Sequence, residues 1–260
     1  MIEEWDITAT NQGRARQRAY EVAVLPVGAI EPHNFHLPMG QDFLHTTHVA
    51  RESCRRAWGR CQAVLCLPAL PFGVDCNLTG FPLAIHVSQR SLDAMIVEVI
   101  ASCRGHGIGK FVLVNGHGGN DFTPLVRQVQ CDLDVHVFRI DWWKVGRDRY
   151  EEIFTAPDDH AGQFETSVAL ALYPQLVELD RAGDGAVREF RFEALRAGWA
   201  ATSRDFAKLS DQCAAGNPAG ASAERGRQYL DLVIGRIADF LVDLATTPID
   251  KDFPFAVEGD

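Results

Sequence analysis

Histidines and carboxylates gather at three places in this 260-residue chain. The first is Glu31-Pro-His33-Asn-Phe-His36-Leu-Pro-Met-Gly-Gln-Asp42, the second Asn115-Gly-His117-Gly-Gly-Asn120, and the third Asp158-Asp-His160-Ala-Gly-Gln-Phe-Glu165. Imidazole and carboxylate together are the donor types that first-row transition metals take, with no thiolate needed. Glu31 and His33, two apart in an extended segment, can point the same way. Asp42 lies nine residues beyond His33, past Pro38, where the chain can fold back to the same point. One carboxylate can bridge two ions, and metals about 3.5–4 Å apart activate a shared water for hydrolysis. His117 completes four candidate ligands. Glu165 is a fifth, either a ligand of a second ion or the acceptor of the water's proton. A single histidine is more often a packed or solvated one, so His45, His48, His86, His106 and His136 carry no assignment here. The coincidence of three clusters carries the metal reading.

Such groups need a frame. Glu21 to Val27 is a short apolar run ending at Gly28, and Ala63 to Leu67, Lys110 to Asn115 and Val135 to Ile140 are similar. All four read as buried strands. Between and after them, helical spacing of apolar residues covers Phe43–Trp58, Ser88–His106 with Ser88 as cap, and Asp121–Cys131. Another helix opens at Glu165 and runs to Leu172, and Ala221–Leu244 has the clearest amphipathic pattern. This alternation predicts an α/β fold with a mostly parallel sheet and helices on both faces. Ligands in that architecture collect at the carboxyl ends of strands, and each polar cluster lies beyond such an end. Trp142-Trp143, just past the fourth strand, are either core packing or a pocket wall. NGHGGN taken alone is also compatible with a phosphate-binding turn, although no G-x-G-x-x-G or Walker pattern accompanies it.

The order and separation of PVGAIEPHNFHLPMGQD (Pro26–Asp42), NGHGGN (Asn115–Asn120) and DDHAGQFETS (Asp158–Ser167), with the Phe72–Pro82 stretch between, resembles the creatininase (creatinine amidohydrolase) family. The likeness runs from about Glu21 to Pro174. It implies a three-layer α/β/α sandwich and a dinuclear centre of zinc, manganese or iron. It also implies a homo-oligomer, commonly a hexamer, that hydrolyses a carbon–nitrogen bond in a non-peptide, often cyclic, amide. Carried over by motif, Glu31 and His117 hold one metal, His33 the other, and Asp42 bridges them, with a hydroxide between the ions as nucleophile. Glu165 becomes a ligand of the second metal, its role as proton acceptor staying open. Asp158 and His160 resemble the family's acid/base pair, the carboxylate orienting the imidazole so that it protonates the leaving nitrogen. The Gly118 and Gly119 amides stand where they can stabilise an oxyanion. One departure matters: creatininase itself has an acidic ligand two residues after the NGH histidine, and this chain has Gly119 there. Relatives with the NGHGGN form include enzymes that open formamides, trim peptides or hydrolyse oxidised inositols, so the resemblance leaves substrate open.

Composition sets the outer bounds. With 47% hydrophobic and 23% charged residues, a chain of this length buries about three quarters of its unfolded surface, which predicts one folded, soluble catalytic domain over 1–260. A net charge of −10 argues against nucleic acid or an anionic membrane as partner and leaves a small molecule. Met1–Gln17 has no signal-like apolar core, no stretch reaches membrane-spanning length, and seven scattered cysteines lack a C-x-x-C pair, so a cytoplasmic, thiol-reduced protein is expected. Two rivals remain: the same site opening a cyclic ketone or keto-cyclitol, and a metal- or ligand-binding protein without turnover. From Gln175 onward, Arg188–Ala197 and Ala214–Gly220 are compatible with a pocket lid, a subunit contact or ordinary surface, with Asn217–Gly220 a turn before the last helix.

Overall fold

A computed structural model of the chain describes residues 3–256, so the outermost residues of the expected 1–260 unit lie outside the described ones. Four parallel strands form the central sheet: β1 (Val22–Val27), β2 (Val64–Cys66), β3 (Lys110–Asn115) and β4 (His136–Asp141), in the order β2-β1-β3-β4. β1 and β3 are buried at every position. Their side chains alternate between two cores, which is why both read as unbroken apolar runs. Val22, Val24, Val112 and Val114 pack into one core; Ala23, Leu25, Phe111 and Leu113 pack into the other.

Five longer helices cover the sheet: α1 (Gln41–Cys61), α2 (Gln89–Gly105), α3 (Thr123–Asp132), α4 (Gln163–Leu172) and α5 (Ala223–Thr246). Helices α1, α4 and α5 share the first core, where Val49, Val168, Tyr229 and Ile237 meet. Helices α2 and α3 supply Leu92, Ile96, Leu125 and Val129 to the second. The result is the three-layer α/β/α arrangement that the alternation predicted. Each expected helix is present with ends shifted by a few residues. Ser88 caps α2 by accepting from the Ser91 amide, and Ser222 caps α5 by accepting from the Arg225 amide.

Two features lie beyond the regular pattern. The Asp158–His160 segment is a short strand, β5, antiparallel to β6 (Ala215–Gly216), so part of the C-terminal third is tied to the third polar cluster. At the opposite end of the sheet from the clusters, Lys110 is buried and its Nζ donates to the carbonyls of Leu244 and Thr247, at the C-terminus of α5. A cation there complements the carbonyl end of that helix. Among the described residues all seven cysteines are free, four of them buried, and no helix is long and apolar enough to cross a membrane.

Candidate active site

The connections from β1 and β3 leave in opposite directions: α1 packs on one face of the sheet and α3 on the other. A crevice opens where adjacent parallel strands diverge in this way. Glu31 and His33 lie beyond β1, and His117 lies two residues beyond β3. Asp42 is in the first turn of α1. Close approach of the β3 turn to this helix depends on Gly116, where a Cβ would fall 1.5 Å from Thr46 Oγ1.

The side chains converge. His33 Nδ1 lies 3.1 Å from the Glu31 carbonyl oxygen, which can only accept, so the other nitrogen, Nε2, is left to face the carboxylates. It is 3.1 Å from Asp42 Oδ1, 3.7 Å from Glu31 Oε1 and 3.8 Å from Glu165 Oε2. His117 Nδ1 lies 3.0 Å from the second Asp42 oxygen and 3.2 Å from Glu31 Oε1. Two donors about 2.1 Å from one ion sit roughly 3.0–3.4 Å apart at ordinary coordination angles, so these spacings suit shared cations. Three donor triads result, Glu31–Asp42–His117, His33–Asp42–Glu165 and Glu31–His33–His160, each with one atom per residue within 4.8 Å of the others, and the first two share Asp42. Glu31 Oε2 and His33 Nε2 are buried with no hydrogen-bond partner among the described residues. Buried polar atoms carry a desolvation cost unless something binds them, and these are the donor types a divalent ion takes.

The electrostatics follow from crowding acids and imidazoles out of water. Burial alone would lower His33, but the charges of Asp42, Glu165 and Glu31 raise it to about 10. His117 is lifted well above its usual range in the same way, with Glu31 foremost against burial. Burial would raise Asp42, and the two imidazoles outweigh it and hold the carboxyl far down. Glu31 and Glu165 go up, burial being the main cause. His160 goes the other way, to about 3, through burial and then the charge of His33. It is therefore neutral near pH 7. Its Nε2 lies 2.9 Å from the Pro32 carbonyl and must carry the proton, which leaves the Nδ1 lone pair facing inward, 3.8 Å from Glu31 Oε1.

Two sequence expectations are corrected. Among the described residues no hydrogen bond or ion pair joins Asp158 to His160; the Asp158 carboxylate accepts from the amides of Gly162, Phe164 and Glu165, tying down the start of α4. Positions 158 and 160 share a strand face by spacing, but the β5–β6 register is irregular between them and free helix N–H groups claim the carboxylate. The Pro32 carbonyl orients His160 instead. Trp142 is core, 2% exposed, against His45 and Phe164, because the turn after β4 throws it back under the sheet. Trp143 does line the cavity, as do Gly118 and Gly119. Neither glycine amide has an intramolecular acceptor among the described residues. Gly119 could carry no side chain without movement: a Cβ there would fall 2.3 Å from His117 Nε2 and 2.4 Å from the Val74 carbonyl oxygen.

The cavity over the cluster measures about 410 Å³ and includes Thr202, Ser203, Arg204 and Phe206, from a stretch left without an assignment by the sequence. Phe206 packs edge-on against the His160 ring, and Arg204 pairs with Asp159. No periodicity marks this stretch. Asp75, fully buried 3.1 Å from His117 Nε2, is a further residue of the site that spacing did not single out. Its loop gives no hint of burial.

Against known proteins, the creatininase (creatinine amidohydrolase) family model matches residues 6–241. Creatinine amidohydrolase of Pseudomonas putida is 33% identical over 184 residues, 63% of this chain and 68% of that protein. A mycofactocin precursor peptide peptidase of Mycobacterium ulcerans (strain Agy99) is 31% identical over 227 residues, 83% and 84% of the two chains. A solved structure of a presumed creatinine amidohydrolase from Bacteroides fragilis NCTC 9343 superposes with a TM-score of 0.88 at 31% identity, covering 96% of this chain and all of that one. With the family motifs gathered at one crevice and the match running nearly end to end, the chain belongs to the creatininase family of hydrolases.

Proposed function

We propose that the protein, acting as one catalytic unit, is a dinuclear metal-dependent hydrolase of a carbon–nitrogen bond in a small, non-peptide amide. The observation that carries this reading is Asp42, whose two oxygens each lie within about 3 Å of a different histidine inside two triads. Glu31 and His117 are the residues for one ion, His33 and Glu165 for the other, with Asp42 between them. Two divalent transition ions there, zinc, manganese or iron, would polarise a substrate carbonyl and bring the pKa of water near neutrality.

The chain's own groups supply the rest. His160, neutral and oriented by Pro32, can take a proton from the attacking water at Nδ1 and return it to the leaving nitrogen. The free amides of Gly118 and Gly119 can receive the developing oxyanion. Asp158 acts at one remove, by fixing the helix start that carries Glu165. Trp143 is a wall of the substrate cavity. Relatives named as an amidohydrolase, a peptidase and a deformylase support carbon–nitrogen cleavage. Gly119 speaks against creatinine itself, since creatininase has an acid at that position. Opening of a keto-cyclitol ring is the second reading, favoured by a relative named 3-dehydro-scyllo-inosose hydrolase. A homo-oligomer, hexameric by family resemblance, completes the proposal.

Metal analysis of the purified protein is the direct test, with two ions per chain as the expected result. Fewer than one ion, unchanged by His33→Ala or His117→Ala, would sink the reading. A panel of lactams, formamides, short peptides and keto-cyclitols separates the reaction classes. Turnover abolished by His160→Ala excludes a protein that only binds.

A further inference from the structure

Asp75 is a carboxylate with no ordinary reason to be where it is. It is fully buried, and neither oxygen has a hydrogen-bond partner of full geometry among the described residues. It caps no helix, and His117 is its one ion-pair partner among those residues. A carboxylate so placed carries a large desolvation cost unless a neighbour answers it. The two sides of the His117 ring differ. Nδ1 faces Glu31 and Asp42, while Nε2 is shared by the Val74 carbonyl at 3.2 Å and Asp75 Oδ1 at 3.1 Å. Among the described residues both neighbours of Nε2 are acceptors, so that nitrogen keeps its proton, and an ion displacing the other proton would find the Nδ1 lone pair facing the cluster. The bare Cα of Gly119 leaves the space in which the Val74 carbonyl approaches the ring.

We propose that Asp75 is a positioning residue: it fixes the tautomer and orientation of His117 and strengthens Nδ1 as a donor to the ion shared with Glu31 and Asp42. The proposal rests on the metal reading above and adds to it a residue that touches neither ion nor substrate. Carboxylates behind a metal-bound imidazole commonly change metal affinity by about 10–100-fold.

The test uses the full chain loaded with cobalt(II), stripped with graded chelator and followed by its visible absorption. Wild type is expected to release two ions in two steps. In Asp75→Asn, which keeps the shape and loses the charge, one step is expected to weaken by about 10–100-fold with a shifted band, the other moving less than about threefold. Metal-free Asp75→Asn is expected to melt lower than wild type, since the buried pair with His117 is broken, so the positioning role is read from the inequality of the two release steps. Unmoved release steps, or two steps moved equally, overturn the positioning role and leave the metal reading intact. Wild type that takes up no cobalt overturns the metal reading, and the proposal with it. If Asp75→Asn fails to fold, nitrogen NMR of the zinc-loaded, ¹⁵N-histidine-labelled wild type decides: Nε2 protonated and Nδ1 metal-bound supports the proposal, the reverse overturns it.

Discussion

At the scale of single residues, the arrangement makes Asp42 unlike the other ligands. His33→Ala and His117→Ala each remove one triad's imidazole, so each is expected to cost about one ion per chain, whereas Asp42→Ala is expected to release both; elemental analysis after dialysis reads the difference. His45 offers a separate check. It is fully buried between Tyr173 and Trp142, and burial pulls its pKa down to about 3. The unfolded chain protonates this histidine near pH 6.5 and the folded chain does not. Its neutral burial is therefore without penalty above that pH, and stability is lost as pH falls from 6.5 toward 3. His45→Phe removes that loss, so relative to wild type it should gain about 2 kcal/mol between pH 6.5 and 5, measured by denaturant melts of the metal-free proteins. Glu31, His33, Asp42 and His117 were legible from residue type and spacing. Asp75 was not, because an aspartate in a loop reads as solvated until the fold closes over it.

Among the elements, the strands were the easiest to read. β1 and β3 are covered on both faces, and a sustained, short apolar run bounded by turn residues seldom folds as anything but a buried strand. The five helices followed from 3.6-residue spacing and, for α2, from Ser88, whose hydroxyl does what such residues do at helix starts; Ser222 does the same for α5 without having been singled out. Asp158 misled because its spacing to His160 is a strand signal, whereas its partners are three amides of the helix that follows. Those contacts predict a mainly structural phenotype. Asp158→Ala should destabilise the protein by roughly 2 kcal/mol, the upper end for a lost helix cap, and should weaken ion retention on the Glu165 side more than on the Glu31–His117 side. Paired thermal melts and metal counts distinguish this from a direct acid/base role, which would leave both unmoved. The Thr202–Phe206 wall was illegible for another reason: it is placed by contacts far along the chain, the Phe206 amide on the Asn77 carbonyl and Arg204 on Asp159.

For the molecule as a whole, several large apolar side chains remain in water in the single chain, Leu83 and Trp199 at 78% exposure among them. If subunits associate through such positions, light scattering should give a multiple of the 28.7 kDa chain mass, and Leu83→Asp or Trp199→Asp should reduce it. Lys110 bears on a different property. Replacing it with Met leaves the Leu244 and Thr247 carbonyls without their charged donor, and a loss of about 2–4 kcal/mol is expected in chemical denaturation, with ion content and turnover unchanged. β3 thus carries a stability determinant at its first residue and leads into the candidate chemistry beyond its last, about 20 Å away. That separation bears on how such a chain can evolve. Loops at the carboxyl edge can be exchanged in search of new substrates while the amino edge keeps the scaffold foldable, and stabilising changes introduced around Lys110 would widen the range of active-site sequences a descendant tolerates.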